Sequence, residues 1–417
     1  EVLEEARRAT EEIHTGAYRG PLHGIPVGLK DLYYVKGVRN TSGSRIYDRF
    51  LPEYDSTVSA RLKKAGAIIM GKLNLRQFAF GPTGLNVDYG NMHNPWDTDR
   101  IAGGSSGGSG SAAAAGQCTV TLGTDTGGSI RIPSALCGLA GLKPTYGRVS
   151  RYGISPLSWS LDHAGPMARS VEDCALTLNV LAGYDPKDPT SVNKPVPDYT
   201  DALTGDIRGL RVGVPREYFE VPIDPHVRAN VMNALEALRE LGAQVKEVSW
   251  PMFHDSADIS STILHTEAAS YHENLIMERG DEYDPSIRLR LEVGLFISGV
   301  EYLRALRARS IYTSKLEALL QDVDILVGPM EPVVAPNIDS EDIDIDGKTV
   351  TVIQALTQYT RPFNITGFPA LTIPCGFANG MPVGVQLAGR PFDEATVLNA
   401  GYSYQQSTGW HKLRPPI

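Results

Sequence analysis

The sequence predicts an α/β fold in which helices cover a mostly parallel sheet. Short apolar runs, typical of buried strands, alternate with amphipathic stretches, typical of helices, and this alternation is the usual mark of such a sheet. The 42 glycines and 28 prolines of the 417 residues concentrate between the apolar runs, where strand–loop–helix junctions need them. The length allows one large domain or two ordinary ones.

Helix–strand units recur along the chain. In STVSARLKKAG, Val58, Leu62 and Ala65 share one helical face, Gly66 ends the helix, and AIIMG follows as a strand. HVRANVMNALEALRELG and QVKEVSW repeat this arrangement. Residues 183–201, rich in proline and aspartate, predict a surface crossing. Residues 255–322 are helical in pattern, and we expect them to roof a pocket. Further strands are predicted at LRVGVP, DILVGP, ALTIPCGF and PVGVQLAG.

Composition and charge exclude several function classes. Hydrophobic residues make up 42% and charged residues 21%, as in ordinary soluble proteins, and a net charge of −9 argues against nucleic-acid or anionic membrane surfaces as direct partners. No apolar run is long enough for a membrane span and no signal peptide opens the chain, so we expect a cytoplasmic protein. The four cysteines lack metal-ligand spacing, so we expect them to be reduced and buried, with no metal or other cofactor.

Some motif matches fail on their context. DIDIDGKTVTVI begins like a calcium loop but has Ile353 in place of the bidentate glutamate, whereas the turn pair Asp346-Gly347 between alternating apolar residues that include Val350 and Val352 predicts a hairpin. The G-x-S-x-G pattern occurs at Ser105 and again one residue later. A nucleophile elbow needs a strand directly before it, and NMHNPWDTDRIA is polar and turn-like. A phosphate loop would need a Gly-Lys-Ser/Thr that is absent.

Residues 103–116, GGSSGGSGSAAAAG, look like a flexible linker by composition alone. The small, helix-favouring SAAAAG and the buried strand CTVTLGTD that follow favour an active-site framework instead. Next in the chain comes TDTGGSIR, where Ser129 sits on a glycine turn. The backbone N–H groups of Thr126, Gly127, Gly128 and Ser129 form a candidate cradle for an oxyanion.

The Ser129 hydroxyl needs a base, and the neighbouring sequence supplies no histidine. A lysine serves as a base if burial lowers its pKa from about 10.4 toward about 7. Lys30, at the end of the apolar run in LHGIPVGLKD, is the candidate. The alternative interpretation of an isolated lysine at a strand end is a surface residue.

The combined motifs resemble the amidase signature family. They are GPLHGIPVGLKD, DSTVSARLKKAGAIIMGKLNLRQFAFG, NPWDTDRIAGGSSGGSG, LGTDTGGSIRIPSALCGLAGLKPTYGRVSRYG, LDHAGPMARSVEDCA, GFPALTIPCGF and PVGVQLAGRPFDEATVL. The resemblance runs from about residue 20 to the end of the chain. It implies a single large domain, residues 1–417, with a central mixed twisted sheet covered by helices on both faces. Within it, residues 20–182 would form the catalytic core, 183–330 the crossing and the helical roof, and 331–417 the strands and helix that complete the sheet. The family usually carries a further N-terminal helical segment, which we expect this chain, opening on Glu1, to lack.

The resemblance also implies a triad. Ser129 would be the acyl-forming nucleophile, Ser105 a bridging serine on a cis peptide bond, and Lys30 the base. Ser106, Asp125 and Arg131 would support the triad. Leu85, Leu157, Trp159 and Phe296, with residues 79–81 (Ala79, Phe80 and Gly81), are candidates for the substrate pocket and hint at an apolar or aromatic substrate group.

Three functions compete at this point. The leading one is a stand-alone amidase, a monomer or homodimer that hydrolyses a small amide, ester or carbamate. The second is the glutaminase subunit of a tRNA-dependent amidotransferase, which SRYGISPLSWSLDHAGP and GWHKLRPPI resemble. The glutamine-recognising arginine of that subunit falls on Tyr312 in the best register, and this mismatch favours the first function. Arg304, Arg307 and Arg309 lie near this position, so a register that places an arginine there is the alternative. The third, a non-catalytic scaffold, conflicts with the filled triad positions.

Overall fold

A ten-stranded mixed sheet, in the order β2-β1-β5-β7-β6-β13-β14-β10-β8-β9, forms the centre of the computed structural model, which describes residues 2–417. Two further two-stranded sheets are formed by β3 with β4 and by β11 with β12. The strands are β1 (Pro26–Lys30), β2 (Ile68–Leu73), β3 (His93–Asn94), β4 (Asp97–Ile101), β5 (Val120–Asp125), β6 (Ala140–Lys143), β7 (His163–Ala168), β8 (Arg211–Pro215), β9 (Gln244–Val248), β10 (Ile325–Pro329), β11 (Asp342–Ile345), β12 (Lys348–Thr351), β13 (Ala370–Ala378) and β14 (Met381–Gly389).

Helices lie on both faces of this sheet, as the resemblance implied. Their bounds are α1 (Val2–His14), α2 (Thr57–Lys64), α3 (Gly107–Ala114), α4 (Arg131–Leu136), α5 (Val171–Leu181), α6 (Pro225–Glu240), α7 (Ser256–Arg279), α8 (Pro285–Phe296), α9 (Gly299–Asp322), α10 (Val352–Thr357), α11 (Arg361–Ile365) and α12 (Glu394–Thr408). Residues 255–322 are therefore helical, as predicted, and no helix or strand interrupts residues 183–201 in the described structure.

The prediction of a mostly parallel sheet is wrong. Among the described strands, β1 pairs in parallel with β2 and β5, and β8 with β9 and β10, but the five pairs in between are antiparallel. One cause is the direct connection of β13 to β14 through Asn379 and Gly380, whose φ angles of 52° and 77° are those of a type I′ hairpin turn. A two-residue turn reverses the strand, whereas a parallel pair needs a long crossover.

Alternate residues of the sheet enter two apolar cores. On β10, Ile325 and Val327 join the core formed with α2, α5, α6 and α12, whereas Leu326 joins the core formed with α7, α9 and α11. Successive side chains of a strand point to opposite faces, so this division follows from the strand geometry. Both faces of the central strands are buried, which explains why these strands read as continuous apolar runs.

Two local predictions need correction and one is confirmed. Residues 91–102 contain the short ribbon β3–β4 rather than turns alone, so a strand does precede Ser105, but it belongs to a two-stranded sheet outside the central one. Val352 begins α10 instead of extending β12. The hairpin is present: β11 and β12 are antiparallel, with Asp346 at φ 53° and Gly347 at φ 76°.

All four cysteines, Cys118, Cys137, Cys174 and Cys375, are buried and unpaired within the described chain. No described helix is long and apolar enough to cross a membrane.

Candidate active site

Lys30 is the last residue of β1, which lies between β2 and β5 in the sheet, and its side chain is fully buried. Strand β5 runs parallel to β1, with Leu29 opposite Leu122, so the end of β1 lies beside Thr124. The Lys30 Nζ donates to Thr124 Oγ1 at 2.8 Å and to Ser105 Oγ at 2.7 Å. Two hydroxyls therefore hold the amine in one position.

Burial lowers the pKa of Lys30 from its ordinary value of 10.5 to about 7, although the carboxylates of Asp162 and Asp125 favour the charged form and oppose this shift. A lysine with a pKa near neutrality is present in part as the free amine at physiological pH. Lys30 can therefore accept and return a proton, the requirement that a surface lysine does not meet.

Ser105 is fully buried and follows a cis peptide bond from Gly104, the arrangement that the resemblance implied. Only glycine fits at position 104, because a Cβ there would lie 2.6 Å from the backbone nitrogen of Gly84. The next residue, Ser106, donates to the Thr124 carbonyl at 3.2 Å and accepts from the Thr124 N–H at 3.3 Å. Ser106 thus fastens the Ser105 turn to the end of β5.

Asp125, the last residue of β5, organises the turn that carries Ser129. Its carboxylate accepts the N–H groups of Gly128 at 2.8 Å and Ile130 at 3.1 Å, and the Arg131 guanidinium at 2.9 and 3.0 Å. Burial alone would raise the pKa of Asp125, but the Arg131 guanidinium and the Asn364 amide hold it well below its usual range. A charged, fully paired carboxylate therefore fixes the turn.

Three of the four candidate oxyanion donors are free to bind a ligand. The N–H groups of Thr126, Gly127 and Ser129 donate to no other described residue, whereas that of Gly128 donates to Asp125. The expectation of a four-donor cradle therefore differs from the structure at Gly128. The reason is the length of the turn, which brings this N–H back to the carboxylate that holds the turn.

Ser129 lies at a cavity of about 260 Å³ and is 7% exposed. Its hydroxyl makes no hydrogen bond with another described residue, so the structure joins Lys30 to Ser105 but does not join Ser105 to Ser129. Thr126 and Gly127 line the same cavity, which places the free N–H groups and the Ser129 hydroxyl at one surface.

The candidate pocket residues divide into two groups. Ala79, Phe80, Gly81 and Leu157 line the cavity beside Ser129. The others lie elsewhere: Leu85 packs against a separate apolar cluster, Trp159 lines a different cavity of about 400 Å³, and Phe296 is 87% exposed at the end of α8.

Sequence reasoning missed two arginines that line the cavity, Arg290 of α8 and Arg361 of α11. His265 of α7 also lines this cavity, and burial lowers the pKa of its ring below the usual range. No short motif marks these positions, because three separate elements bring them to the cavity. The expectation that residues 255–322 roof a pocket led toward Arg290 and His265, whereas no sequence signal led toward Arg361.

Tyr312, the residue in the register of a glutamine-recognising arginine, is fully buried and packs against Trp250 with ring centroids 5.5 Å apart. Arg309 donates to the carbonyls of Ile365 and Ser160. Arg304 and Arg307 are exposed, and none of the α9 arginines lines the cavity in the described structure.

The chain is similar in sequence and in fold to known proteins. The amidase family matches residues 1–398. A glutamyl-tRNA(Gln) amidotransferase subunit from Chloroflexus aggregans is 45% identical over 438 aligned residues, which cover 100% of this chain and 89% of that protein. A solved structure from a vestigial protein complex that reveals the evolutionary origins of an s-triazine catabolic enzyme has a TM-score of 0.92 at 39% identity and covers 99% of this chain and 91% of that one. The native peptide amidase of Stenotrophomonas maltophilia has a TM-score of 0.86 at 32% identity over 100% of this chain and 88% of its own. The chain therefore belongs to the amidase signature family and is an enzyme that acts on amide carbon–nitrogen bonds.

Proposed function

We propose that this chain is a stand-alone amidase that hydrolyses a small carboxamide through an acyl-enzyme on Ser129, with Lys30 as the base and Ser105 as the proton relay. The observation that carries the proposal is the contact between the buried Lys30 amine and Ser105, next to a cavity that Ser129 lines. A pKa of about 7 lets Lys30 act in both directions at neutral pH.

In the first half of the reaction, the Ser129 oxygen attacks the amide carbon while its proton passes to Ser105 and the Ser105 proton passes to Lys30. The oxyanion that forms accepts hydrogen bonds from the N–H groups of residues 126, 127 and 129. Lys30 returns the proton through Ser105 to the amide nitrogen, the carbon–nitrogen bond breaks, and the amine leaves. The hydroxyls of Ser129 and Ser105, which do not contact each other in this structure, come within hydrogen-bonding distance when substrate binds, because nucleophile–base contacts commonly tighten in the complex.

In the second half, water attacks the ester carbon and gives its proton to Lys30 through the same relay. The bond between carbon and the Ser129 oxygen breaks, Ser129 regains the proton, and a carboxylic acid leaves. The sum is amide plus water giving acid plus amine. Esters and carbamates present a similar carbonyl and would follow the same route.

A fluorophosphonate probe tests this assignment, because it forms a covalent bond only with an activated serine. We expect a single adduct on the peptide that contains Ser129, and strongly reduced labelling in Lys30→Met, which keeps the size of the side chain. Thermal melting of both proteins controls for folding. An adduct on Ser105 or Ser106, or equal labelling of Lys30→Met, would falsify the triad.

A second candidate is the glutaminase subunit of a tRNA-dependent amidotransferase. It is supported by the 45% identity to the Chloroflexus aggregans protein. The buried position of Tyr312, away from the cavity, supports the stand-alone enzyme instead. Purification from the native host on a native gel distinguishes the two, because a glutaminase subunit migrates with partner subunits and releases ammonia from glutamine.

A further inference from the structure

The cavity beside Ser129 has an unbalanced charge. Its described lining includes Arg290 and Arg361 but no aspartate or glutamate. Buried or half-buried arginines are ordinarily paired with carboxylates, because an unpaired charge loses the solvation that water supplies. An anion bound in the cavity would therefore stabilise the two guanidinium groups, and no residue that lines the cavity provides one.

The guanidinium of Arg361, the first residue of α11, forms no hydrogen bond or ion pair with another described residue. Burial and the nearby Arg290 lower the pKa of Arg361 to about 10, against the opposing effect of Asp258. The group is still cationic at neutral pH. It thus presents a full positive charge, with unused donors, to the cavity.

Arg290 is held by Phe80, because its Nη1 donates to the Phe80 carbonyl at 3.1 Å and its guanidinium lies 5.6 Å from the centroid of the Phe80 ring. Asp284, a neighbouring carboxylate, is already paired with Arg76 at 3.2 Å. No ion pair with Arg290 forms in the described structure, and Arg76 adds a further positive charge that lowers the pKa of Arg290 in addition to burial. The protein holds Arg290 at the cavity wall without neutralising it.

We infer that the substrate is an amide that carries a carboxylate, and that Arg361 and Arg290 bind that carboxylate while the amide carbon lies at Ser129. This inference rests on the proposed function. A planar carboxylate fits the paired donors of a guanidinium, which makes such contacts stronger than those with a neutral oxygen. Arg361 and Arg290 are then specificity-determining residues.

The charges of the residues that line the cavity also indicate which other groups the substrate carries. A free α-amino acid such as glutamine carries an ammonium group as well, and no acidic side chain among the described lining residues would bind it. His265 adds no negative charge, and it is held neutral by its lowered pKa. Monoamides of short dicarboxylic acids, such as succinamate and glutaramate, fit this cavity better than glutamine does.

Matched substrates test the inference. The ratio of kcat/KM for succinamate to that for its neutral isostere 4-oxopentanamide measures recognition of the charge alone. In the wild-type enzyme we expect this ratio to be about 10 to 100, because hydrogen bonds to a charged group are worth about 1.5–3 kcal/mol. Arg361→Gln should bring the ratio close to one, and Arg361→Lys should restore part of it. Arg288→Gln, which changes a partly exposed arginine on the same helix as Arg290, is the control and should keep the wild-type ratio.

Binding of succinate and glutarate, measured by calorimetry, tests the carboxylate site without catalysis. We expect binding by the wild-type protein and by Ser129→Ala, and its loss in Arg361→Gln. A ratio near one in the wild type, together with normal fluorophosphonate labelling of Ser129, overturns the carboxylate inference and leaves the amidase proposal standing. No label on Ser129, together with dicarboxylate binding that needs Arg361, overturns the proposed chemistry and supports the anion site.

Discussion

The carboxylate of Asp125 and the guanidinium of Arg131 form an ion pair in which both side chains are fully buried, with Arg131 Nη2 2.9 Å from Asp125 Oδ1 and Arg131 Nε 3.0 Å from Asp125 Oδ2. Arg131 also donates to Gln386 at 2.7 Å and Asn364 at 2.7 Å. All three nitrogens of the Arg131 guanidinium thus donate hydrogen bonds. The turn that carries Ser129 is built around this pair.

Breaking this pair should cost stability. Asp125→Asn leaves the Arg131 charge buried without a counter-charge, and we expect a loss of about 3–5 kcal/mol in the free energy of unfolding. Urea unfolding monitored by circular dichroism measures it. The matched control is Asp206→Asn, whose pair with Arg208 is fully exposed and should contribute far less to stability than the buried pair. Equal losses in the two variants would contradict a structural role for the buried pair.

The activity should depend on pH through Lys30. The free amine is the form that accepts a proton, and its pKa is about 7, so kcat/KM should rise with pH and level off above neutrality. A pH–rate profile with the preferred amide measures the inflection. A profile that is flat between about pH 6 and about pH 9, or one that falls over this interval, would exclude Lys30 as the base.

The same shift has a consequence for stability. Burial lowers the pKa of Lys30 in the folded protein from 10.5 to about 7, so between these values the unfolded chain binds a proton that the folded chain does not. Stability due to this group therefore rises with pH across that interval. We expect the free energy of unfolding of the wild type, relative to that of Lys30→Met, to increase from about pH 7 to about pH 10. Parallel pH dependences in the two proteins would contradict the lowered pKa.

Substitutions of the adjacent residues Ser105 and Ser106 should have different effects, one on activity and the other on stability. Ser105→Ala removes the hydroxyl that contacts Lys30, and kcat should fall about 10²- to 10⁴-fold with little change in melting temperature. Ser106→Ala removes the bonds to Thr124, and we expect a loss of about 1 kcal/mol in stability and a smaller loss in kcat. Steady-state kinetics with thermal melting tests both, and a larger kcat loss in Ser106→Ala would reverse the assignment.

The two glycines before Ser129 should differ in their tolerance of a side chain. Gly128 has a φ of +127°, and a Cβ there would lie 2.6 Å from Ile132 and 2.7 Å from Thr360. Gly128→Ala should therefore lower stability by about 2–4 kcal/mol. A Cβ at Gly127 meets nothing within 4 Å, so Gly127→Ala should change stability by less than about 1 kcal/mol. Chemical denaturation of the pair gives the comparison.

Sequence reasoning identified eight of the ten strands of the central sheet and helices α2, α3 and α6 to α9, because apolar periodicity reports burial, but it missed β6 and β7. Periodicity also does not report strand direction. The reversal at β13–β14 carried a usable signal, the Asn379-Gly380 pair, which favours a type I′ turn. Lys30 illustrates the opposite case. Its position after an apolar run suggested burial, but only its similarity to a family motif connected it with Ser105.

The cavity was the least predictable part of the molecule. Phe80 and Leu157 were among the candidates for the substrate pocket, and they do line it. Arg290 could not be predicted, because α8 carries apolar side chains on both its exposed and its buried sides, among them Leu289 and Leu291. Arg361 lies in α11, a helix of five residues, which is too short to show a periodic pattern. A helix without a clear polar face gives no indication of which charged residue points inward.

The hydrogen bonds of Arg131 also determine how much of the chain must be synthesised before the enzyme can become active. Its partners Thr360, Asn364 and Gln386 lie 229, 233 and 255 positions later in the chain. During synthesis, therefore, Ser129 leaves the ribosome long before the residues that hold its turn in place. A nascent chain that ends before Gln386 carries Ser129, the proposed nucleophile, but not all of the residues that support its turn, so the order of translation delays hydrolytic activity until Gln386 has been added.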